Sequence, residues 1–206
     1  MARRPSTARV IAVTGTIGSG KSAVLGLFAE AGLATLSADA IAREVVAPGT
    51  EGFRAVVAAF GPEIVDERGE LDRGRLGTVV FSDEAKRTVL NALTHPRIRA
   101  RLIELTQALL AEGNAVVVIE IPLLTPTALS EYGIDDVIIV CAPEAVALDR
   151  LVRLRGLDPD DASARLRAQV GEGIGHLPAR WRVVNDGDLA TLRAQVEAIL
   201  EDIKEP

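Results

Sequence analysis

Aromatic residues and cysteine are scarce in this chain. Phenylalanine, tyrosine and tryptophan make up 3% of its 206 residues, so the core must be built from aliphatic side chains, and a long surface that stacks nucleobases on aromatic rings is not expected. The only cysteine, Cys141, excludes an internal disulfide and favours a reducing, cytoplasmic location. Because Cys141 stands in an apolar run, we interpret it as a small core residue and not as a nucleophile.

An excess of positive charge and a long apolar run are also missing. The formal net charge is −6, which argues against a general nucleic-acid-binding protein. No apolar stretch approaches the length of a membrane span, and residues 1–8 contain no apolar signal-peptide core. We therefore predict a disordered tail over residues 1–8 and one domain over residues 9–206, with neither nucleic acid nor a membrane as a partner.

A glycine-rich segment connects a predicted strand to a predicted helix near the start of the chain. It consists of Gly15, Thr16, Ile17, Gly18, Ser19, Gly20, Lys21 and Ser22. This pattern is typical of a P-loop, whose backbone N–H groups wrap a phosphate at the start of a helix. Lys21 would reach the β- and γ-phosphates, and the Ser22 hydroxyl would ligate Mg²⁺. A tight turn alone would explain the glycines but not the Lys-Ser pair, so we predict a nucleotide-binding protein.

Asp39 and Arg43 follow the second predicted strand, Leu33–Leu36, and share one face of a helix predicted over Ala40–Val46. Asp39 has two interpretations. It is either a helix-start residue paired with Arg43, as many such aspartates are, or a functional carboxylate. Ligands of open α/β sheets lie beyond the carboxyl ends of the strands, where the P-loop and Asp39 are both expected. This placement favours the functional interpretation.

Further strands are predicted at residues 115–121, 136–141 and 182–184, which gives a parallel sheet of about five strands. Glu120 is either a carboxylate that orients Mg²⁺ through water or an ordinary charge at a strand end, and the sequence leaves both open. Between the early strands, residues 40–113 are predicted to be mainly helical, with a break at His95-Pro96. An insertion of this size is a natural place to bind an acceptor.

Two consecutive predicted helices carry several arginines. Glu144–Arg155 contains Arg150, Arg153 and Arg155, and Asp161–Val170 contains Arg165, Arg167 and Gln169. We predict that residues 150–180 form a small helical lid over the P-loop, with arginines that close on the transferred phosphate. For each arginine taken singly, a solvated basic face is the alternative.

A series of motifs resembles the dephospho-CoA kinase family over nearly the whole chain. Val13–Ser22, Ala38–Gly49, Leu90–Pro96 and Ile121–Leu124 are similar to four of its motifs. Gln169, Asn185 and Gly187 also fall at the family's spacing. The order of these motifs is much more specific than the P-loop alone.

The resemblance implies a P-loop α/β/α core of three layers, a helical lobe for CoA and a lid. It implies transfer of a phosphoryl group from ATP to the ribose 3′-hydroxyl of dephospho-CoA, with Mg²⁺, in coenzyme A synthesis. Asp39 as general base and Lys21 as a source of positive charge would be catalytic. Asn185 and Gly187 would border the adenine of ATP. Roles in acceptor binding or in the lid would fall to Arg43, His95, Pro122, Leu123, Arg150, Arg153 and Gln169.

The chain also departs from the family pattern, mainly in the lid and on the acceptor side. The departing residues are Thr16, Ser37, Thr125, Pro126, Leu154, Gly175 and Arg180. They leave two alternatives open: a related small-molecule kinase with another acceptor, and a nucleotide-binding paralogue with weakened catalysis. A switch GTPase is set aside, because the sequence has no Asn-Lys-x-Asp stretch that would bind guanine.

Overall fold

A parallel sheet forms the centre of this computed structural model, which describes residues 8–81, 83–170 and 176–204. Its order is β2-β3-β1-β4-β5, and every adjacent pair within the described ranges is parallel. The predicted α/β class and the sheet of five strands are confirmed. The strands are β1 (Arg9–Gly15), β2 (Ala34–Ser37), β3 (Val116–Glu120), β4 (Asp136–Cys141) and β5 (Trp181–Val184).

The helices of the described ranges fall into two compact units of the chain. The first unit contains the sheet and consists of the chain up to Ser37 and from Thr106 onward, whereas the second is Ala38–Leu105. The second unit covers most of residues 40–113, and its role in binding an acceptor stays a prediction. In chain order the helices are α1 (Lys21–Glu30), α2 (Ala38–Glu44), α3 (Glu51–Phe60), α4 (Arg73–Phe81), α5 (Glu84–Ala111), α6 (Pro126–Tyr132), α7 (Glu144–Arg155), α8 (Pro159–Val170) and α9 (Leu189–Lys204).

Apolar residues on both faces of the sheet are buried, as expected for parallel strands with continuous apolar runs. Ile11 and Val13 of β1 lie in one core cluster with Phe28 of α1 and Val196 of α9. The alternate residues of β1 face the other side and are equally inaccessible to solvent. Among the described residues, no helix is long and apolar enough to cross a membrane.

The predictions for the tail, residues 1–8, and for Gly175 concern residues that the structure describes only in part or not at all. Ala8 belongs to the predicted tail, but it is buried, with 8% of its surface exposed. Residues 1–7 and Gly175 lie outside the described residues.

The predicted break of α5 at Pro96 is wrong. The helix continues through this residue, although proline removes a backbone N–H and crowds the preceding turn. Two neighbouring side chains bond carbonyl oxygens of the same region: Thr94 Oγ1 donates to Leu90 O at 2.9 Å, and Arg97 Nη1 donates to Leu93 O at 2.6 Å. Neither bond reaches Ala92 O, the carbonyl that the missing N–H of Pro96 would have bonded in an α-helix.

The sequence predictions contain neither α4 nor α6. The nine residues of α4 include two glycines, which lower helix propensity and hide the pattern. α6 begins at the departure from the family pattern, because Thr125 is its N-cap and Pro126 occupies its first turn. That departure therefore has a local structural role.

Arg180, another residue that departs from the family pattern, is fixed at the end of the sheet where β4 and β5 begin. Its guanidinium carbon lies 4.7 Å from the centroid of the Trp181 ring. The guanidinium also pairs with Asp202 at 3.1 Å and with Asp136 at 3.6 Å. Since the P-loop follows the carboxyl end of β1, this cluster lies at the opposite end of the sheet.

Thr50 caps α3 and gives a stability prediction. Its Oγ1 accepts a hydrogen bond from Phe53 N at 3.0 Å and donates to Ala47 O at 2.8 Å. Thr50→Ala is expected to lower the free energy of unfolding by about 1 kcal/mol, because the cap is lost. Urea denaturation measures the change. Thr88→Ala is the matched control, since this threonine is exposed within α5 and alanine favours a helix there. An equal loss in both variants would contradict the prediction.

Candidate active site

The P-loop begins at the carboxyl end of β1, the middle strand of the sheet. The strands that follow lie first on one side of β1 (β2 and β3) and then on the other (β4 and β5). Ligands of open α/β sheets bind at such a position. Gly20 forms the N-cap of α1 with a φ of 90°, a conformation that favours glycine, and a Cβ there would collide with the Asn185 amide. This glycine allows the tight turn from strand to helix.

The side chain of Lys21 is held against the P-loop by hydrogen bonds to backbone carbonyls of the loop. The residue is 9% exposed, and its Nζ donates to the carbonyl oxygens of Gly15 at 2.9 Å and Thr16 at 3.0 Å. The positive charge therefore lies at the start of α1, where the helix dipole also favours an anion.

Ser22 and Glu120 bring two oxygen ligands together. Ser22 Oγ donates to Glu120 Oε1 at 3.1 Å. Glu120 is the last residue of β3 and is 5% exposed, whereas Ser22 is exposed on the first turn of α1. Hydroxyl and carboxylate oxygens are the ligands that Mg²⁺ prefers. The pair can therefore support a magnesium ion beside the P-loop.

Arg150 and Asn185 hold the P-loop from outside, and we refer to these two residues as the P-loop brace. Asn185 is 5% exposed, and its Nδ2 donates to Ser19 O at 2.9 Å. Arg150 Nη2 donates to Asn185 Oδ1 at 2.8 Å. Arg150 Nη1 donates to Asn185 O at 3.2 Å and lies 3.4 Å from the carbonyl oxygens of Gly18 and Ser19. The guanidinium thus bonds the loop both directly and through Asn185.

The tip of the P-loop is joined to α7 and α8, which form most of the predicted lid. Gln169 Oε1 accepts a hydrogen bond from Ile17 N at 2.6 Å. The Ile17 side chain packs against a buried cluster that includes Leu151 of α7 and Leu166 of α8. The two helices therefore contact the loop through one hydrogen bond and one apolar cluster.

Asp188 fixes the turn that follows Asn185. Its carboxylate accepts a 2.7 Å hydrogen bond from the Thr191 hydroxyl, and it also accepts bonds from the backbone N–H groups of Ala190 and Thr191. The hydroxyl bond first, and then the two backbone bonds, lower the pKa of this carboxyl below its usual value. The cap therefore contributes fully above the usual carboxyl pKa and is lost as the pH falls through the lowered value. At neutral pH, α9 starts at a fixed point beside Asn185.

The other predicted site residues have different surroundings. Arg153 of α7 is not bonded to the P-loop in the structure, since its Nε pairs with Asp149 at 2.7 Å and its side chain is 77% exposed. Pro122 and Leu123 follow β3, and Leu123 is 52% exposed. Gly187 lies in the turn before α9 with a φ of 136°. The residues that belong to the second unit, all exposed, are Asp39, Arg43 and His95.

Thr14 contributes to this site and was not predicted to do so. It is fully buried at the end of β1, and its hydroxyl donates to Pro122 O at 3.4 Å. A polar residue within an apolar strand, directly before the P-loop, was the available signal. The contact joins the end of β1 to the segment that follows β3.

Comparison with known proteins identifies the family. The family model for dephospho-CoA kinase matches residues 9–191. The chain belongs to the dephospho-CoA kinase family. A dephospho-CoA kinase of Streptomyces avermitilis is 49% identical over 193 residues, which are 94% of this chain and 93% of that protein. The family resemblance of the motifs is confirmed, and the chain is a phosphotransferase that acts on a hydroxyl group.

Solved structures agree with the membership in the dephospho-CoA kinase family. A dephospho-CoA kinase from Campylobacter jejuni has a TM-score of 0.67 at 25% identity, covering 98% of this chain and 100% of that chain. The protein TT1252 from Thermus thermophilus has a TM-score of 0.75 at 33% identity, covering 95% of this chain and 97% of that chain. The predicted three-layer P-loop kinase fold is confirmed.

The P-loop brace predicts that one arginine of α7 supports nucleotide binding. Arg150→Ala is expected to weaken ATP binding about tenfold, because the loop and Asn185 lose charge-assisted hydrogen bonds. Arg150→Lys keeps the charge but not the forked donor, so it should restore only part of the affinity. Isothermal titration calorimetry measures both.

Arg155→Ala is the control for this prediction. Arg155 lies on the same helix, and its side chain makes no hydrogen bond or ion pair within the described ranges, so ATP affinity should change less than about twofold. Equal ATP affinities for Arg150→Ala and the unmodified protein would show that the brace does not support the nucleotide site.

Proposed function

We propose that this protein is an ATP-dependent dephospho-CoA kinase of coenzyme A synthesis. It transfers the γ-phosphoryl group of ATP to the ribose 3′-hydroxyl of dephospho-CoA, and the products are ADP and CoA. The observation that carries the proposal is the braced P-loop in a chain of this family. A cytoplasmic location agrees with the lone Cys141, since no internal disulfide is possible.

The donor site is the P-loop with its surrounding side chains. Backbone N–H groups of the loop and the start of α1 bind the phosphates of ATP. Lys21 exchanges its two loop carbonyls for phosphate oxygens and stabilises the negative charge of the transferring group. Asn185 and Gly187 border the adenine, while Gln169, Arg150 and Arg153 serve as the lid. The hydrogen bonds of Arg150 in α7 and Gln169 in α8 to the loop support this assignment.

Asp39 acts as the general base toward the acceptor. It is the second residue of α2 and follows directly after β2, whose last residue Ser37 is in register with Glu120. The carboxylate takes the proton of the 3′-hydroxyl as the new O–P bond forms and the bond from the γ-phosphorus to ADP breaks. Arg43, one turn further along α2, binds the acceptor with His95, Pro122 and Leu123.

The Ser22 hydroxyl of α1 and the Glu120 carboxylate at the end of β3 fit Mg²⁺. Ser22 would ligate the ion directly, and Glu120 would orient it through water. When bound, the ion supplies charge neutralisation for the phosphates. Among the described residues, no group of three His, Cys, Asp or Glu could hold a metal ion by itself. The nucleotide would therefore provide the remaining oxygen ligands.

Asp39→Asn tests the proposed general base. With ATP and dephospho-CoA, the turnover number should fall on the order of 10²–10⁴-fold, because the variant no longer accepts the hydroxyl proton. ATP affinity should stay unchanged, since Asp39 is assigned to the acceptor. A coupled assay that follows ADP measures the rate, and calorimetry measures the affinity.

The control for Asp39 is Asp83→Asn. Asp83 caps α5 by accepting a hydrogen bond from Lys86 N at 3.0 Å, and asparagine is an equally good cap. The turnover number of Asp83→Asn should match that of the unmodified protein. Full activity of Asp39→Asn would remove Asp39 from the role of general base.

A panel of acceptors separates the proposed function from its alternatives. The unmodified protein should phosphorylate dephospho-CoA in preference to nucleosides and sugars. Transfer to one of the others with none to dephospho-CoA would identify a related kinase with another acceptor. A single-turnover reaction with ATP, Mg²⁺ and each acceptor of the panel that yields no product would indicate a paralogue without catalysis.

Glu120→Gln decides between the two interpretations of this strand-end carboxylate. If Glu120 orients Mg²⁺, the variant should need about tenfold more Mg²⁺ for half-maximal ATP binding, because a charged outer ligand is lost. Calorimetric titrations of ATP at a series of Mg²⁺ concentrations measure the shift. An unchanged Mg²⁺ requirement would leave Glu120 as an ordinary strand-end charge.

A further inference from the structure

Two cavities of the second unit adjoin, because Val46, Leu71 and Arg73 line both. The larger has a volume of about 390 Å³ and is lined by charged residues, including Arg43 and Arg73. The smaller has a volume of about 160 Å³ and is mainly apolar. Every lining residue belongs to Ala38–Leu105, so both cavities lie within this unit.

The larger cavity carries an excess of unpaired positive charge. The side chains of Arg43 and Arg73 form no hydrogen bond or ion pair within the described ranges. Glu44 also lines the cavity, but its carboxylate accepts a 2.7 Å hydrogen bond from Arg101 Nε. Two unpaired guanidinium groups therefore stand against the single unpaired carboxylate of Glu70. Guanidinium groups without partners bind phosphate oxygens well.

The smaller cavity combines an apolar wall with two neutral polar side chains. Leu76 of α4 and Leu90 and Ile98 of α5 are only partly buried there. Asn91 and Thr94 of α5 line the same cavity and carry an amide and a hydroxyl. Such a lining fits a flexible, mostly apolar chain that contains amide groups.

The two linings together match the two parts of one molecule. Dephospho-CoA joins its adenosine through a diphosphate to pantetheine, an aliphatic arm with two amides and a terminal thiol. Resting on the proposed function, we propose that Arg43 and Arg73 bind the diphosphate and that the smaller cavity holds the distal part of the pantetheine arm. Asn91 and Thr94 hydrogen-bond an amide of the arm. Arg73 and the cavity of α4 and α5 are thus determinants of acceptor specificity.

The position of Arg73 is fixed by the start of α4. Asp72 Oδ1 accepts a hydrogen bond from Arg75 N at 2.9 Å and caps the helix. Arg75 itself is bonded elsewhere: its Nε pairs with Asp72 at 2.9 Å, and its Nη1 donates to Glu63 O at 3.1 Å. Arg73 lines the cavity, whereas Arg75 is bonded to Asp72 and Glu63. A substitution of Arg75 is therefore a matched control for a substitution of Arg73.

Arg73→Ala and Asn91→Phe test the two halves of the inference. Arg73→Ala removes a side chain that binds phosphate. Asn91→Phe fills the smaller cavity from an exposed position of α5. Each should weaken the binding of dephospho-CoA about tenfold, as expected for the loss of a charge-assisted or well-packed contact. Calorimetry with dephospho-CoA measures this, and unchanged ATP affinity shows that the nucleotide site is intact.

A second ligand separates the arm from the rest of the acceptor. Adenosine 5′-monophosphate carries the same ribose but no pantetheine, so Asn91→Phe should bind it as the unmodified protein does. Arg75→Ala and Ala92→Phe, whose residues do not line the cavities, are the controls and should leave dephospho-CoA affinity within about twofold.

The outcomes distinguish this inference from the proposed function. If the unmodified protein phosphorylates dephospho-CoA and both Arg73→Ala and Asn91→Phe bind it normally, the cavity assignment is overturned while the proposed function stands. If these variants lose affinity but the unmodified protein transfers no phosphate, the binding assignment stands and the kinase assignment fails. Absence of dephospho-CoA binding to the unmodified protein would overturn both.

Discussion

Hydrogen bonds to the carbonyl oxygens of the P-loop set the shape on which the rest of the site depends. A loop that points its N–H groups at an anion must satisfy its carbonyls elsewhere. Here Asn185 bonds Ser19 O, while Arg150 bonds Asn185 and approaches the carbonyls of Gly18 and Ser19. These donors are 131 residues or more away in the sequence. The nucleotide cradle is therefore a product of the whole sheet-containing unit and not of its motif alone.

The departures from the family pattern that the structure describes leave this arrangement intact. Arg180 stacks on Trp181 and pairs with Asp136 and Asp202 at the end of the sheet opposite the P-loop. Thr125 and Pro126 form the start of α6. Leu154 is 79% exposed on α7, and nothing in the structure explains it. The brace and the tip contact between Gln169 and Ile17 use none of the departing residues. Arg180, Thr125, Pro126 and Leu154 therefore remove none of the hydrogen bonds of the donor site.

The fold was predictable where a segment is long and apolar or carries a clear cap. The strands end within one or two residues of their expected positions, and α7 has its expected bounds. α4 was not predictable, because two glycines and three charged or polar residues interrupt its apolar pattern. At Pro96 the sequence prediction failed in the opposite way, because α5 continues through a residue type that usually ends or kinks a helix.

The sequence alone determined the phosphate-binding loop, the parallel sheet and the family, since these follow from glycine spacing, apolar runs and the order of motifs. Tertiary structure decided which polar residues act together. It selected Arg150 and not Arg153 as the partner of the P-loop, because only one of these arginines lies on the side of α7 that faces Asn185. It also paired Ser22 with Glu120, 98 residues apart. Hydrogen bonds require distances near 3 Å, and only the folded chain fixes those distances between remote residues.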